Sequence, residues 1–209
     1  MSANLPCSEG RNEHNARPIP GVEGGTIQLL LLGECAAVVN GVRIDHTSTH
    51  LFALLLLLSS STDRRRLTRV EIQRYLFDST TSPSHSSHNL RQLLYRLRRL
   101  HVRLSESRSG VLLHEDSVLT TDAQLRALLS GECEGIHPAS VLFLPSYSPR
   151  LPAPFLEWVE RLRERTDARI RTALLATVNK LRTRHSWHAV LRVSSTLHKL
   201  PRWQDAMTR

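Results

Sequence analysis

Cysteine is scarce in this sequence, and its few copies are scattered. Cys7, Cys35 and Cys133 lie far apart, with no C-x-x-C pair and no cysteine–histidine spacing of the kind that binds metal. This excludes a disulfide framework and a zinc site, and it fits a reducing cytoplasm. Long apolar runs are also missing. The runs at 27–32 and 51–58 fall far short of the roughly 20 residues that span a bilayer, so we expect no membrane partner.

Catalytic motifs are missing as well. The chain has no glycine-rich phosphate loop and no G-x-S-x-G elbow, and its carboxylates form no obvious catalytic pair. Eleven histidines include close pairs, but none is accompanied by a third ligand or an H-E-x-x-H pattern. The sequence therefore predicts a protein that is not an enzyme. It indicates no catalytic residue, no metal, no cofactor and no small-molecule substrate.

Acidic residues are absent from the whole stretch between Asp78 and Glu106. Eleven arginines and only three acids lie between Arg64 and Arg108, so this window supplies +8 of the net charge of +9. The basicity is therefore local. Such a concentration of one sign of charge is typical of a surface that binds a polyanion.

The basic window contains a predicted helix from Ser84 to Arg103 with two unlike faces. A 3.6-residue period places its apolar residues on one arc that we expect to be buried. These are Leu90, Leu93, Leu94, Leu97, Leu100 and His101. On the opposite arc lie five arginines, Arg91, Arg96, Arg98, Arg99 and Arg103. This arc has no acidic residue to oppose its charges, which repel each other. It indicates an anionic partner such as DNA, although a merely solvated basic face explains the pattern equally well.

A sheet and a buried helix are predicted before this basic helix. The run at 27–32 predicts a strand, and the runs at 36–39 and 42–44 flank Asn40-Gly41, a strong hairpin signal. Leucines at helical spacing in 47–58 predict a helix that packs into the core.

A second helix and a second hairpin complete this half of the chain. The capping box Thr68-Arg-Val-Glu71 begins the helix. After the basic helix, strands at 102–104 and 111–114 predict the hairpin, and 117–121 is a candidate for one more strand. An order of sheet, three helices and hairpin lets one helix enter a major groove while the hairpin reaches the neighbouring backbone.

A family resemblance begins in the basic helix. Leu90-Arg-Gln-Leu-Leu-Tyr-Arg-Leu-Arg-Arg-Leu100 resembles the third-helix motif of bacterial regulators that join an OmpR-type winged helix to a bacterial transcriptional activation domain, the SARP-like regulators. Three further features resemble the pattern of the same family: Gly33, the Asn40-Gly41 turn and the helix end Leu76-Phe77-Asp78. The family more usually has Leu-Trp at this helix end. The likeness runs from about Ile27 to the C terminus.

The resemblance implies an α+β fold in several parts. Residues 26–121 would form a winged helix-turn-helix with an N-terminal sheet, three helices and a C-terminal hairpin. Residues 122–154 would form a junction and a proline-rich connection, and 155–209 an all-α, tetratricopeptide-like module that is short for the family. The composition of 1–25 predicts a disordered arm.

The C-terminal module is predicted from periodicity as well. A long helix with mixed charges on its polar side includes Val159 to Leu181, a second spans Trp187 to Leu200, and a third begins at Pro201. So few helices cannot bury their apolar faces alone, so we expect the module to be marginal or to be completed by a partner.

The function that follows is DNA-binding transcription regulation in the cytoplasm, at the nucleoid. The helix around 85–103 would enter the major groove of double-stranded DNA. The residues predicted to approach base edges are His88, Arg91, Gln92 and Tyr95, and those predicted to hold phosphates are Arg96, Arg99, Arg103 and Arg108. RNA polymerase or a second copy of the chain is the expected partner of the helical module.

Two alternatives stay open. The winged helix could serve a non-catalytic adaptor, whose arginines dock on an acidic protein surface. Structured RNA is a weaker alternative, because its major groove is too narrow for a helix.

Overall fold

The chain has a mixed α+β fold, as the sequence predicts, with a small sheet and six helices in the part that is described. The structure is a computed structural model, and it describes residues 25–60, 67–78, 80–107, 110–114, 117–121, 123–130 and 142–198. Residues 1–24 of the predicted arm, the hairpin tip with Arg108 and the predicted third helix from Pro201 lie outside these ranges.

The N-terminal strands form the predicted antiparallel sheet. They are β1 (Thr26–Leu30), β2 (Ala36–Val39) and β3 (Val42–Asp45). Asn40 and Gly41 turn the chain between β2 and β3 with φ of 48° and 83°, the left-handed conformations that a tight hairpin requires. The sheet gains a fourth strand, β6 (Val118–Thr121), which pairs parallel to β1. The sequence indicates a strand at 117–121 but does not indicate which strand it pairs with.

Three helices follow the sheet. They are α1 (Thr49–Ser60), α2 (Arg69–Leu76) and α3 (Pro83–Arg99). Seven consecutive residues of α1, Phe52 to Leu58, are buried, so this helix forms the centre of the core. The capping box of α2 is present, because Thr68 and Glu71 exchange side chain–backbone hydrogen bonds of 2.8 and 3.1 Å.

The basic helix, α3, ends earlier than predicted. His101 donates its N–H to the Arg98 carbonyl at 2.8 Å, and Val102 donates to the Leu97 carbonyl at 3.0 Å. This is the double hydrogen bond of a Schellman end, with His101 in the left-handed conformation at φ 59°. The predictions that His101 lies on the buried arc and that the helix reaches Arg103 are therefore wrong. The sequence carries no glycine at this position to mark the stop.

The predicted second hairpin is present, but its first strand begins two residues later than the sequence predicts. It consists of β4 (Leu104–Ser107) and β5 (Gly110–Leu113). Leu67, just before α2, exchanges two backbone hydrogen bonds of 3.1 and 2.8 Å with Val111. The hairpin is therefore attached to the start of α2.

The second half of the chain adds α4 (Ala123–Ser130), α5 (Ala153–Thr183) and α6 (Trp187–Leu197). The segment before α5 is hydrogen-bonded to the chain just after β1, because Leu144 donates its N–H to the Leu31 carbonyl at 2.7 Å. Tyr147 packs edge-on between the rings of Phe52 and Phe155, with centroids 5.1 and 6.4 Å away. The buried side chains form one cluster from Ile27 to Leu197.

Within the ranges given above, none of the helices combines the length and the apolar composition that a membrane span requires.

Candidate nucleic-acid interface

The solvent-facing side of α3 presents one row of polar side chains. His88, Gln92, Tyr95 and Arg99 follow each other at helical spacing, and all four are exposed. The leucines at 90, 93, 94 and 97 are at most 7% exposed and point into the core on the other side. The amphipathic division that the sequence predicts is therefore present, and it turns the polar row fully outward.

The structure holds α3 in place at both ends. Ser82 caps its N terminus by accepting the His85 N–H at 3.4 Å. Near that end, the Gln73 amide of α2 donates to the Ser87 hydroxyl at 3.0 Å. At the far end, the Asn40 amide in the β2–β3 turn donates to the Leu100 carbonyl at 2.6 Å. These bonds fix the direction in which the exposed row points.

Arg98 lies on one flank of this row and is paired within the protein. Its guanidinium forms an ion pair with Glu106 of β4, and Arg69 of α2 binds the same carboxylate at 2.7 Å. The Glu106 side chain is only 18% exposed, so this three-member network ties the hairpin to α2 and α3. The expectation that all five arginines of the arc are unopposed is wrong for Arg98, because the chain reversal after α3 brings the Glu106 carboxylate back to it.

The other arginines of α3 remain exposed. Arg91, Arg96 and Arg99 form no ion pair with a carboxylate in the described part of the chain, and Arg91 donates from Nε to the Ser87 carbonyl at 3.3 Å. Arg103 is exposed but lies after the helix, on the way to β4. The structure thus brings His88, Arg91, Gln92, Tyr95, Arg96 and Arg99 together on α3, with Arg103 beyond its end, and Arg108 lies outside the described ranges.

A cleft of about 730 Å³ opens beside α3 and was not predicted. Gln92 and Arg96 line it from α3, Arg150 lines it from the segment before α5, and Leu156 lines it from α5 itself. Residues so far apart in sequence share no local pattern, so no sequence signal could have found this site. No group of three side chains suited to metal binding is present in the portion of the chain described.

Comparisons with known proteins found few similarities. No family model matches the chain, and no curated protein matches it in sequence. Among solved structures, Mycobacterium tuberculosis EmbR in complex with a low-affinity phosphopeptide is similar, with a TM-score of 0.43 and 16% sequence identity. The similarity covers 81% of this chain and 54% of that chain, so the present chain spans about half the length of EmbR's.

Proposed function

We propose that this chain is a transcription regulator without catalytic activity, which binds double-stranded DNA through a winged helix formed by residues 26–121. The observation that carries the proposal is the exposed row of α3, flanked by Arg91 and Arg96 with no carboxylate paired to either in the described residues. A basic helix face of one sign, held rigidly and turned outward, suits a polyanion.

The dimensions support insertion of α3 into the major groove. A helix of 17 residues is about 25 Å long at 1.5 Å per residue, and the major groove, about 12 Å wide, admits a helix. The network around Glu106 keeps the β4–β5 hairpin beside α3, where a hairpin can reach the adjoining phosphate backbone.

The exposed side chains divide into two roles in this proposal. The side chains near the middle of the row, with two on its N-terminal side, approach base edges, because amides and guanidinium groups pair bidentately with purines. They are His88, Arg91, Gln92 and Tyr95. The remainder hold phosphates and set the register. They are Arg96, Arg99, Arg103 and Arg108.

The second half of the chain would mediate protein contacts. Residues 122–154 serve as the connection and 155–209 as the helical module, which binds RNA polymerase or a second copy of the chain. The whole protein would act at the bacterial nucleoid, in the cytoplasm. Trp187 and Leu191 of α6 are 57% and 68% exposed, which supports a surface available to another protein.

A gel-shift assay tests the DNA-binding proposal. The full chain is mixed with random genomic duplex at low and at moderate salt. We expect clear binding at low salt that weakens steeply as salt rises, because phosphate contacts release counterions. Absence of binding at low salt would contradict the proposal and favour the adaptor that docks on an acidic protein.

A further inference from the structure

The cleft beside α3 combines an apolar lining with cationic groups. Leu76, Phe77, Leu93 and Leu151 contribute apolar surface, and Leu156, which is 37% exposed, adds to it from α5. Its volume of about 730 Å³ lies within the roughly 300–1,000 Å³ typical of sites for small organic molecules.

Two arginines line this cleft from distant parts of the chain. Arg96 comes from α3 and Arg150 from the proline-rich segment before α5, and neither has an ion-pair partner in the ranges that the structure covers. Asp78 is the one carboxylate among the lining residues, and its side chain accepts the Thr80 N–H at 3.3 Å. The cleft lining therefore holds more positive than negative charge, which favours an anion.

His50 contributes an imidazole ring to the cleft lining. Its ring stacks on Phe77 with centroids 5.6 Å apart, and partial burial lowers the pKa of this imidazole below its ordinary value. The lowered pKa favours the neutral ring, so His50 adds aromatic surface to the lining, which suits an aromatic or acyl group.

We infer that this cleft binds a small amphipathic organic anion, an aromatic or acyl carboxylate or sulfonate, with its charge on Arg96 and Arg150 and its apolar body against the leucines. A DNA strand threaded through the cleft would satisfy the arginines but leave the apolar lining without a partner. The combination of both surfaces therefore favours the small molecule.

A regulatory effect of this ligand on DNA binding rests on the proposed function. Gln92 and Arg96 belong both to the cleft and to the proposed DNA-binding side of α3. A ligand that occupies them and DNA that needs them bind in competition, so the anion would lower the affinity for DNA.

A fluorescence titration tests the ligand site without DNA. The probe is 8-anilinonaphthalene-1-sulfonate, an aromatic sulfonate, added to the full chain and its variants. Arg150→Gln and Leu156→Gln should each weaken binding, the former by about tenfold, as expected for loss of one charge-assisted hydrogen bond. The matched controls are Leu175→Gln in α5 and Arg184→Gln just after it, both at exposed positions, and these should leave binding unchanged. Equal effects of both pairs, or no effect of the first, would overturn the site.

A second titration tests the coupling to DNA. Saturating probe should raise the apparent Kd for duplex DNA of the wild-type chain, and unchanged affinity would overturn the coupling. If Arg150→Gln instead lowers the salt dependence of DNA binding without probe, the cleft holds DNA backbone and the small-ligand inference is wrong. A chain that binds the probe as described but no DNA would refute the proposed function alone.

Discussion

Arg98 and Arg99 are neighbours in sequence and yet have different environments. The Arg98 guanidinium pairs with Glu106, whereas Arg99 lies in the exposed row with no carboxylate paired to it in the described residues. One position on a helix turns a side chain by about 100°, which is enough to change its partner from the protein itself to the solvent. The residue scale therefore separates an arginine that is paired within the protein from one that is exposed on α3.

Gln92 and Arg99 should affect DNA binding in different ways. Gln92→Ala should change the preference among duplex sequences, because an amide reads base edges. Arg99→Ala should weaken all duplexes alike and reduce the slope of log affinity against log salt by about one. Affinities for a selected site and for random duplex, measured at several salt concentrations, check both expectations. Identical effects of the two variants on every sequence would contradict the division of roles.

Cys35 should be nearly inert in the folded chain. Its thiol donates to the Pro145 carbonyl at 3.2 Å, and burial raises the pKa of this thiol from 9.0 to about 11. Since the thiolate is the reactive form, alkylation by iodoacetamide at pH 8 should be about a hundredfold slower than in an unfolded chain.

Mass spectrometry of the peptide that contains Cys35 measures this rate, with the same chain in urea as the control. Equal rates in the two conditions would show that the segment around Pro145 does not cover the thiol.

At the scale of elements, the two hairpins have different backbone surroundings. The β2–β3 turn is open at Gly41, since a Cβ there would meet no atom within 4 Å. The β4–β5 hairpin is packed tightly, because a Cβ on Gly110 would lie 2.3 Å from the Leu67 carbonyl oxygen. The two glycines therefore serve different purposes, a left-handed turn in one and a close backbone approach in the other.

These two glycines form a matched pair for a stability measurement. Gly41→Ala should cost about 1–2 kcal/mol of unfolding free energy, the strain of a left-handed alanine. Gly110→Ala should cost more, about 2–4 kcal/mol, because the hairpin must also move away from Leu67. Urea denaturation of both variants gives the two values. A smaller loss for Gly110→Ala than for Gly41→Ala would contradict the packing of the hairpin against the start of α2.

At the scale of the whole molecule, the two halves of the chain share one core. Phe155 of α5 is fully buried against Tyr147, which in turn packs on Phe52 of α1, and Trp158 packs beside Tyr75 of α2. A common core predicts that both halves unfold together. Helix α5 is therefore supported by its packing against the first half of the chain.

Phe155→Ala should destabilise the whole chain by about 3–5 kcal/mol, because it removes a large ring from a closed core. Leu191→Ala is the control, and at 68% exposure it should change the free energy by less than about 0.5 kcal/mol. Far-UV circular dichroism follows all helices, whereas tryptophan fluorescence follows the second half, where all three tryptophans lie. Coincident urea transitions are expected. Two separate transitions would contradict the shared core.

The sequence by itself determined the features that depend on neighbours along the chain. Helical spacing placed the leucines of α3 inside and its arginines outside, Asn40-Gly41 marked a turn, and Thr68 with Glu71 marked a helix start. Each of these signals is local, because periodicity, turn conformation and capping involve residues within a few positions of each other.

Only the tertiary structure decided which distant residues meet. Three features follow from chain reversals whose geometry is set by the packed core: the parallel pairing of β6 with β1, the pairing of Arg98 with Glu106, and the placement of Arg96 and Arg150 along one cleft. The end of α3 at Arg99 belongs to the same class, because burial of Val102 beside the core draws His101 into a left-handed conformation that its residue type does not announce. Such contacts depend on the shape of the core, and no local pattern encodes it.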